Sequence, residues 1–154
     1  RSDALVFFVL QKESGSERPH REELHENGVV AQIRHIIRES NGTVRVLVNG
    51  VYKARLGEVS GTDYLQAEVL KYQESGENPE YIKACARSLI DKYREYIKHN
   101  PKIAEESVNL LEEVNDPARL MDLVAVNVLK KTADKQNYLD RYTLYDQFRF
   151  LLNY

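Results

Sequence analysis

All seven glycines of this 154-residue chain lie in its first 76 residues, and the last of them is Gly76. Glycine is common where a chain turns between strands, and inside a helix it costs about 1 kcal/mol relative to alanine. The glycine distribution therefore predicts a strand-rich lobe over residues 1–76 and a helical lobe over residues 77–154. We expect an α+β fold in which a small antiparallel sheet, curled toward a barrel, precedes a bundle of three to five helices.

Short strand-like runs follow one another in the first lobe. The runs are residues 5–10, 29–38, 44–48, 51–59 and 64–72. Asn41-Gly42 predicts a tight hairpin turn, because these residue types tolerate the positive φ angles that such turns need. By the same reasoning Asn49-Gly50 predicts a second turn, and the polar residues 60–63 predict a third. The pattern is typical of an antiparallel meander.

Apolar residues in the second lobe recur with the period of a helix. Asn78-Pro79 and Asn100-Pro101 bracket one long predicted helix. Asp116 as N-cap and Pro117 as first residue predict the start of another. The expected buried positions are Ile82, Ala86, Leu89, Ile90, Tyr93 and Ile97 in the long helix, Val108 and Leu111 in a shorter one, Leu120, Leu123, Val124 and Val128 after Pro117, and Leu144, Phe148, Leu151 and Leu152 at the end.

Charge and cysteine content exclude several classes of protein. Residues 1–76 hold ten basic and eleven acidic side chains and residues 77–154 hold twelve and thirteen, so each half carries −1. Nucleic-acid binders are normally basic, because their affinity depends on neutralising phosphates. A single cysteine excludes a disulfide framework and points to a reducing, cytoplasmic environment. No apolar run approaches the roughly 20 residues of a membrane span.

Candidate catalytic and metal-binding residues are few. Residues 20–26 hold His20, His25 and three glutamates, but a zinc-binding helix needs histidines four apart and these are five apart. A solvated charged loop is therefore favoured over a metal site. Cys85 lies within the long predicted helix, where a packing role is favoured over a nucleophilic one. We expect no catalytic residue and no metal site in this chain.

Four segments together resemble the N-terminal domain of the Lon protease family. Residues 41–56 (NGTVRVLVNGVYKARL) resemble its central hairpin, and residues 28–33 (GVVAQI) resemble the strand before it. Residues 115–125 (NDPARLMDLVA) resemble one of its helices, and residues 135–139 (KQNYL) resemble a further segment of it. Met121 stands where alanine is usual, and residues 145–148 depart from the family pattern. The order and spacing match across nearly the whole chain.

The resemblance implies a fold, a function and partners. The fold would be a β-barrel-like lobe similar to PUA domains, followed by a helical bundle. The function would be non-catalytic: binding and selecting unfolded or damaged proteins and supporting hexamer assembly. The ATPase module, with its ATP and Mg²⁺, and the Ser-Lys peptidase would lie elsewhere in a cytoplasmic parent protein. Because the chain does not begin with methionine and lacks the proline motifs of the family's first strand, we expect it to be truncated at its N-terminus.

The resemblance leaves open which residues contact a substrate. We predict Val51 and Tyr52 first and Tyr64 second, because they adjoin turns of the strand lobe. The alternative is that these side chains merely close the barrel. By analogy with PUA folds, a small-ligand or RNA-binding module is a second functional hypothesis, which the balanced charge disfavours. A hydrolase or metal enzyme is a third, and it depends on His20 and His25 alone.

Overall fold

Four antiparallel strands form the first part of the chain in a computed structural model, which describes residues 4–72 and 76–154. The strands are β1 (Leu5–Gln11), β2 (Leu24–Arg38), β3 (Val44–Ser60) and β4 (Gln66–Lys71), in the sheet order β1-β2-β3-β4. Each strand pairs with the next one along the chain, so the sheet is a meander. The chain divides into two units, Arg1–Gln73 and Glu74–Tyr154.

The hairpin of β2 and β3 turns at the predicted Asn41-Gly42. The Glu39 N–H donates to the Thr43 carbonyl oxygen at 2.8 Å, and the Gly42 N–H donates to the Glu39 carbonyl oxygen at 3.0 Å. Gly42 has a φ of +87°, in the left-handed region that residues with a Cβ rarely adopt. The turn prediction is therefore confirmed at this position.

The turn predicted at Asn49-Gly50 is wrong, because β3 runs straight through it. Gly50 pairs with Ala31 and Tyr52 pairs with Val30, which leaves Val51 as an extra residue in a β-bulge. A second bulge lies on β2, where Arg34 is the extra residue between the Ile33 and His35 pairs. A bulge bends a strand without reversing it, so β2 and β3 stay paired along nearly their whole length.

The start of β2 also differs from the prediction. The strand begins at Leu24 instead of residue 29, so His25 and Glu26 belong to a strand and not to a solvated loop. Gly28 is needed here, because an added Cβ would collide with the Phe8 carbonyl oxygen and the Phe7 ring. The close approach of β1 to β2 therefore depends on a glycine within the strand.

The sheet curls as predicted. Leu5 and Phe7 of β1 and Ala67 and Val69 of β4 line one groove, although β1 and β4 are the two outer strands. Within residues 4–72, no backbone pairing joins β1 to β4. The curl therefore brings the two outer strands toward the same space without closing a hydrogen-bonded barrel.

Five helices form the second unit. They are α1 (Pro79–Lys98), α2 (Glu106–Glu112), α3 (Pro117–Val128), α4 (Thr132–Leu139) and α5 (Leu144–Leu152). The Asn78 side chain accepts a hydrogen bond from the Glu80 N–H, and the Asp116 side chain accepts one from the Ala118 N–H, each at 3.0 Å. The caps before Pro79 and Pro117 thus begin α1 and α3 as predicted, and the α+β class is confirmed.

The core of the second unit is built mainly from α1, α3 and α5. Cys85 is buried in it among apolar side chains, which confirms the packing role. Leu123 was predicted to be buried but is 37% exposed, whereas Met121 is 0% exposed. The apolar stripe of α3 passes through Leu120, Met121, Val124 and Ala125, so Leu123 lies at the edge of the buried face.

α1 is long enough to cross a bilayer, at 20 residues. It carries charged side chains on its exposed face, such as Lys83, Arg87 and Asp91. In the two ranges that the structure describes, no helix combines the length and the apolar character of a membrane span.

Candidate functional site

A groove of about 750 Å³ lies on one face of the four-stranded sheet. Leu24, Val30 and Leu56 form a buried floor, whereas Tyr64, which is largely exposed, and Leu65, which is half-exposed, line the groove beside it. The other lining residues are Leu5, Val6, Phe7, Val9, Gln11, Glu17, Pro19, Tyr52, Val59, Gln66, Ala67 and Val69. The groove is thus an apolar surface that remains open to solvent.

Strand register explains why these side chains meet. Phe7 pairs with Val30, and Val30 pairs with Tyr52, so the three residues form one row across β1, β2 and β3. Residues directly opposite in antiparallel strands share a face of the sheet. The row therefore places two aromatic rings on either side of a buried valine.

Tyr64 reaches the groove from the connection between β3 and β4. Gly61 has a φ of +108° in this connection, and an added Cβ would collide with the Tyr64 carbonyl oxygen. The Tyr64 hydroxyl accepts a hydrogen bond from Gln66 Nε2 at 3.0 Å, and its side chain is 70% exposed. The predicted break at residues 60–63 is present, but β4 begins at Gln66 and not at residue 64.

Two of the three predicted contact residues line the same groove. Tyr52 is half-buried, with Lys71 Nζ 5.3 Å from its ring centroid. Val51 is the extra residue of the β3 bulge, is 54% exposed and does not line the groove. Sequence reasoning missed Phe7 and Leu65, which were visible only as members of an apolar run and of a predicted strand.

The segment between β1 and β2 is fixed against β3 by Arg21. Its Nε donates to the Gly57 carbonyl oxygen at 2.9 Å, and its Nη2 donates to the Leu56 carbonyl oxygen at 3.0 Å. Glu17 and Pro19 lie on the same segment and line the groove. Arg21 therefore holds one wall of the groove to the strand that forms its floor.

The two histidines of residues 20–26 lie in different elements, His20 at the start of a short helical turn and His25 in a strand. The His20 N–H donates to Glu23 Oε2 at 2.6 Å, at the start of a single 3-10 turn (Arg21–Glu23). His25 lies in β2, beyond that turn. In the part of the chain that the structure describes, no cluster of three or more histidine, cysteine or acidic side chains is placed to hold a metal ion.

The chemistry of the groove is that of a binding surface. Among its described lining residues Glu17 is the one charged side chain, and none is a serine, a cysteine or a histidine. Apolar pockets with few polar groups bind apolar side chains with little directional demand. The described lining therefore suits contact with apolar groups.

A second cavity, of about 510 Å³, lies in the helical unit. It is lined by Asp134, Arg141, Asp146, Arg149, Phe150, Asn153 and Tyr154. The Tyr154 hydroxyl donates to Asp134 Oδ2 at 3.0 Å, and this hydrogen bond raises the pKa of Tyr154. Two aspartates and two arginines balance each other around the cavity, so it has no net preference for a charged ligand.

The helical unit also contains a partly buried polar pair, the buried Tyr138 and the half-buried Asp122. The Tyr138 hydroxyl donates to Asp122 Oδ1 at 2.7 Å and thereby links α4 to α3. Burial, followed by the negative charge of Asp122 and this hydrogen bond, raises the pKa of Tyr138 above its ordinary value of 10.0. Because this hydrogen bond joins two helices, it contributes to the packing of the bundle.

Comparison with known families decides the identity of the domain. The family model described as the "ATP-dependent protease La (LON) substrate-binding domain" matches residues 1–154. The chain belongs to this family. The resemblance of the four motifs is thereby confirmed over the whole length of the chain.

Individual relatives agree with this assignment. The chain is 32% identical over 151 residues to the Lon protease of Escherichia coli (strain K12), covering 97% of this chain and 19% of that protein. It is 30% identical over 150 residues to the Lon protease of Desulforamulus reducens, covering 97% and 18%. The chain thus spans about a fifth of the length of the curated relatives that it matches.

A solved structure has the same fold. The N terminal domain of Mycobacterium avium complex Lon protease superposes with a TM-score of 0.72 at 19% identity. The match covers 99% of this chain and 89% of the other. The arrangement of a strand lobe followed by a helical lobe is therefore that of a Lon N-terminal domain.

Proposed function

We propose that this domain binds exposed apolar segments of unfolded or damaged proteins in the groove of its sheet and selects them for degradation by a Lon-type protease. The family to which the chain belongs is a substrate-binding domain, which supports a role in binding. The observation that carries the proposal is the groove itself, with a buried floor at Leu24, Val30 and Leu56 and exposed apolar side chains beside it.

The groove suits unfolded ligands for a physical reason. Burying apolar surface contributes about 25 cal/mol per Å², largely irrespective of which apolar side chain supplies it. A folded protein keeps most large apolar side chains inside, whereas an unfolded one presents them to solvent. An apolar groove with few polar groups therefore selects for the unfolded state more than for a particular sequence.

Tyr52 and Tyr64 are the proposed contact residues within the groove. Tyrosine offers a large contact area for little loss of side-chain entropy, which favours it at binding surfaces. The charged lining residue, Glu17, is a carboxylate and disfavours the phosphates of RNA. Apolar contact with a polypeptide is thus better supported than the alternative of an RNA-binding module.

We also propose how the domain serves a larger protein. Its relatives are about five times as long, so the ATP-dependent steps, the bound ATP and Mg²⁺, and the Ser-Lys peptidase chemistry would reside outside these 154 residues. The domain would then be non-catalytic, and it would support assembly of a hexamer in the cytoplasm. Its part in degradation would be to present segments to that machinery.

The test compares one labelled protein in two forms, native and reduced-and-alkylated, by fluorescence anisotropy with this domain. We expect binding to the unfolded form alone, and a loss of affinity of at least fivefold for Tyr64→Ala, because Tyr64 exposes a large apolar area beside the groove. Tyr142→Ala is the matched control, since Tyr142 is an exposed tyrosine of the helical unit. Equal binding of both forms, or equal losses in both variants, would contradict the proposal.

A further inference from the structure

The end of the β2–β3 hairpin extends beyond the other two strands. β1 pairs with β2 as far as Gln32, and β4 pairs with β3 from Ala54 onward. Among the described strands, residues 34–48 therefore form a two-stranded ribbon, here named the arm. Long apolar side chains on such a ribbon have no third strand beside them to cover their flanks.

One face of the arm, which also holds Arg38, carries an apolar stripe that is open to solvent. Ile36 pairs with Val46, so these residues share a face, and alternation along β3 adds Val44 and Val48 to it. Ile36 is 50% exposed and Val46 is 44% exposed. Four β-branched side chains thus form a stripe along the arm.

Among the described residues, none pairs with the outer edge of β3 beside this stripe. Because the Glu39 N–H donates to the Thr43 carbonyl oxygen, the alternation of an antiparallel ladder directs the N–H and C=O groups of Val44 and Val46 away from β2. β3 itself has no extra residue from Val44 to Gly50, although its partner β2 has one at Arg34, opposite the step from Leu47 to Val48. The open edge is therefore roughly 20 Å long.

Natural proteins usually protect such an edge. The common devices are proline, charged side chains (lysine above all), a bulge within the strand, or a very short strand. Residues 44–50 contain neither proline nor lysine, their one charged side chain, Arg45, is ion-paired with Glu39, and the β3 bulge begins only at Val51. An open and apolar edge is the surface to which an extended peptide adds as another strand.

Charge indicates which peptide would fit. Residues 34–48 hold three arginines and one glutamate and so carry +2, whereas the chain as a whole carries −2. Arg45 is ion-paired with Glu39 at 2.8 Å, and Arg34 and Arg38 are exposed. The arm is thus a basic element on an acidic chain, and it would repel the same arm of a second copy.

We propose that the outer edge of β3 between Val44 and Gly50 binds an extended polypeptide segment rich in acidic and β-branched residues, which pairs with it as an added strand. The proposal rests on the proposed function in taking an unfolded protein as the ligand. It adds a second subsite, separate from the groove, which recognises backbone and charge as well as apolar side chains.

The test uses the 154-residue chain and a fluorescein-labelled peptide of alternating glutamate and valine, with a lysine–valine peptide for comparison. We expect the acidic peptide to bind at least tenfold more tightly than the basic one. Val46→Pro removes an outward N–H and is expected to abolish binding, whereas Val46→Ala keeps that N–H and is expected to lose less than fivefold. Equal losses in the two variants, or equal binding of the two peptides, would overturn the proposal.

Amide hydrogen exchange of the unmodified chain gives a readout that does not depend on the folding of Val46→Pro. Addition of the acidic peptide is expected to slow exchange at Val44, Val46 and Val48 at least tenfold and to leave Arg45 and Leu47, whose N–H groups face β2, unchanged. Unchanged exchange at the valines would overturn the proposal. So would protection that grows with protein concentration alone, which would indicate a second copy, or displacement of the peptide by single-stranded DNA.

Failure of the proposed function is distinguishable from failure of this subsite. Tyr64→Ala is expected to weaken binding of the reduced-and-alkylated protein and to leave the acidic peptide bound, because Tyr64 lies in the groove. If Tyr64→Ala changes neither affinity, the groove proposal fails while the edge proposal stands on the exchange data. If Val46→Pro changes neither affinity, the edge proposal fails alone.

Discussion

The carboxylate of Glu77 accepts a hydrogen bond from the backbone N–H of Tyr145 at 2.8 Å, across a sequence separation of 68 residues. Its other oxygen accepts one from the Leu144 N–H at 3.1 Å. Leu144 begins α5, and the first N–H groups of a helix have no partner within the helix. Glu77 therefore caps α5 from the segment before α1, and its charge lies at the positive end of the helix dipole.

Glu77→Ala is expected to destabilise the helical unit by about 1–2 kcal/mol, because it removes two charge-assisted hydrogen bonds at a helix start. Urea unfolding followed by circular dichroism measures the loss. The control is Glu95→Ala, at an exposed position of α1, which is expected to change stability by less than about 0.5 kcal/mol. Equal losses in the two variants would show that the cap contributes nothing.

Stability is expected to decline above pH 10 because of Tyr138. Its pKa is raised in the folded protein, mainly by burial, so above pH 10 the unfolded chain loses a proton that the folded chain retains. The stabilisation is complete below the unfolded pKa of 10.0 and is lost as the pH rises past it. Urea unfolding at intervals from pH 7 to pH 11 measures this slope.

Tyr138→Phe provides the comparison for that experiment. It is expected to cost about 1.5–3 kcal/mol at pH 7, because it removes a hydrogen bond to the Asp122 carboxylate. It is also expected to flatten the decline above pH 10, because it removes the group whose pKa is raised in the folded protein. A Tyr138→Phe chain that declines as steeply as its parent would refute this assignment.

Gly28→Ala is expected to destabilise the strand unit by more than about 2 kcal/mol, because its Cβ would collide with backbone of β1 that cannot move independently of the sheet. Gly50→Ala is the matched control. Its Cβ would lie 3.7 Å from Val29 Cγ1, an ordinary contact, so the loss is expected to stay below about 1 kcal/mol. Thermal unfolding measures the loss of stability in both variants. An unchanged stability of Gly28→Ala would contradict the close packing of β1 on β2.

Met121→Ala is expected to cost about 2–5 kcal/mol, because Met121 is fully buried and its removal leaves a cavity. Leu123→Ala, two positions along α3, is expected to cost less than about 1 kcal/mol, since that side chain is partly exposed. Chemical denaturation of both variants measures the difference. The opposite order would mean that α3 presents a different face to the core.

Features set by a few neighbouring residues were predictable from the sequence. The caps at Asn78 and Asp116 each begin a helix at the following proline, since the capping hydrogen bond spans only two residues. The hairpin turn at Asn41-Gly42 is local in the same way. No knowledge of the remaining chain is needed to identify such features.

Features that depend on partners elsewhere were missed. Whether Asn49-Gly50 turns or continues depends on β2, which is long enough to pair with β3 beyond it. α4 has no apolar stripe, because its buried side chains are Gln136 and Tyr138. A helix that packs through polar side chains has no periodic apolar pattern, so hydrophobic periodicity does not predict it.

The candidate groove was partly predictable. Tyr52 and Tyr64 were selected because they adjoin turns, and both line the groove. Phe7 joins them only through the pairing of β1 with β2, and register across strands depends on which residues become buried together. Val51 was selected for the same reason as Tyr52, but a bulge places it outside the groove.

The bulges at Arg34 and Val51 lie on opposite strands, so their displacements cancel. Val30 with Tyr52 on one side and Ile36 with Val46 on the other have the same register. Between these pairs an unbulged ladder would fit the same end points, with Arg34 opposite Val48 and Ala31 opposite Val51. A shift of the hairpin from the bulged to the unbulged ladder would therefore change strand pairing only between Val30 and Ile36. Both ends of the hairpin would keep the same pairing partners.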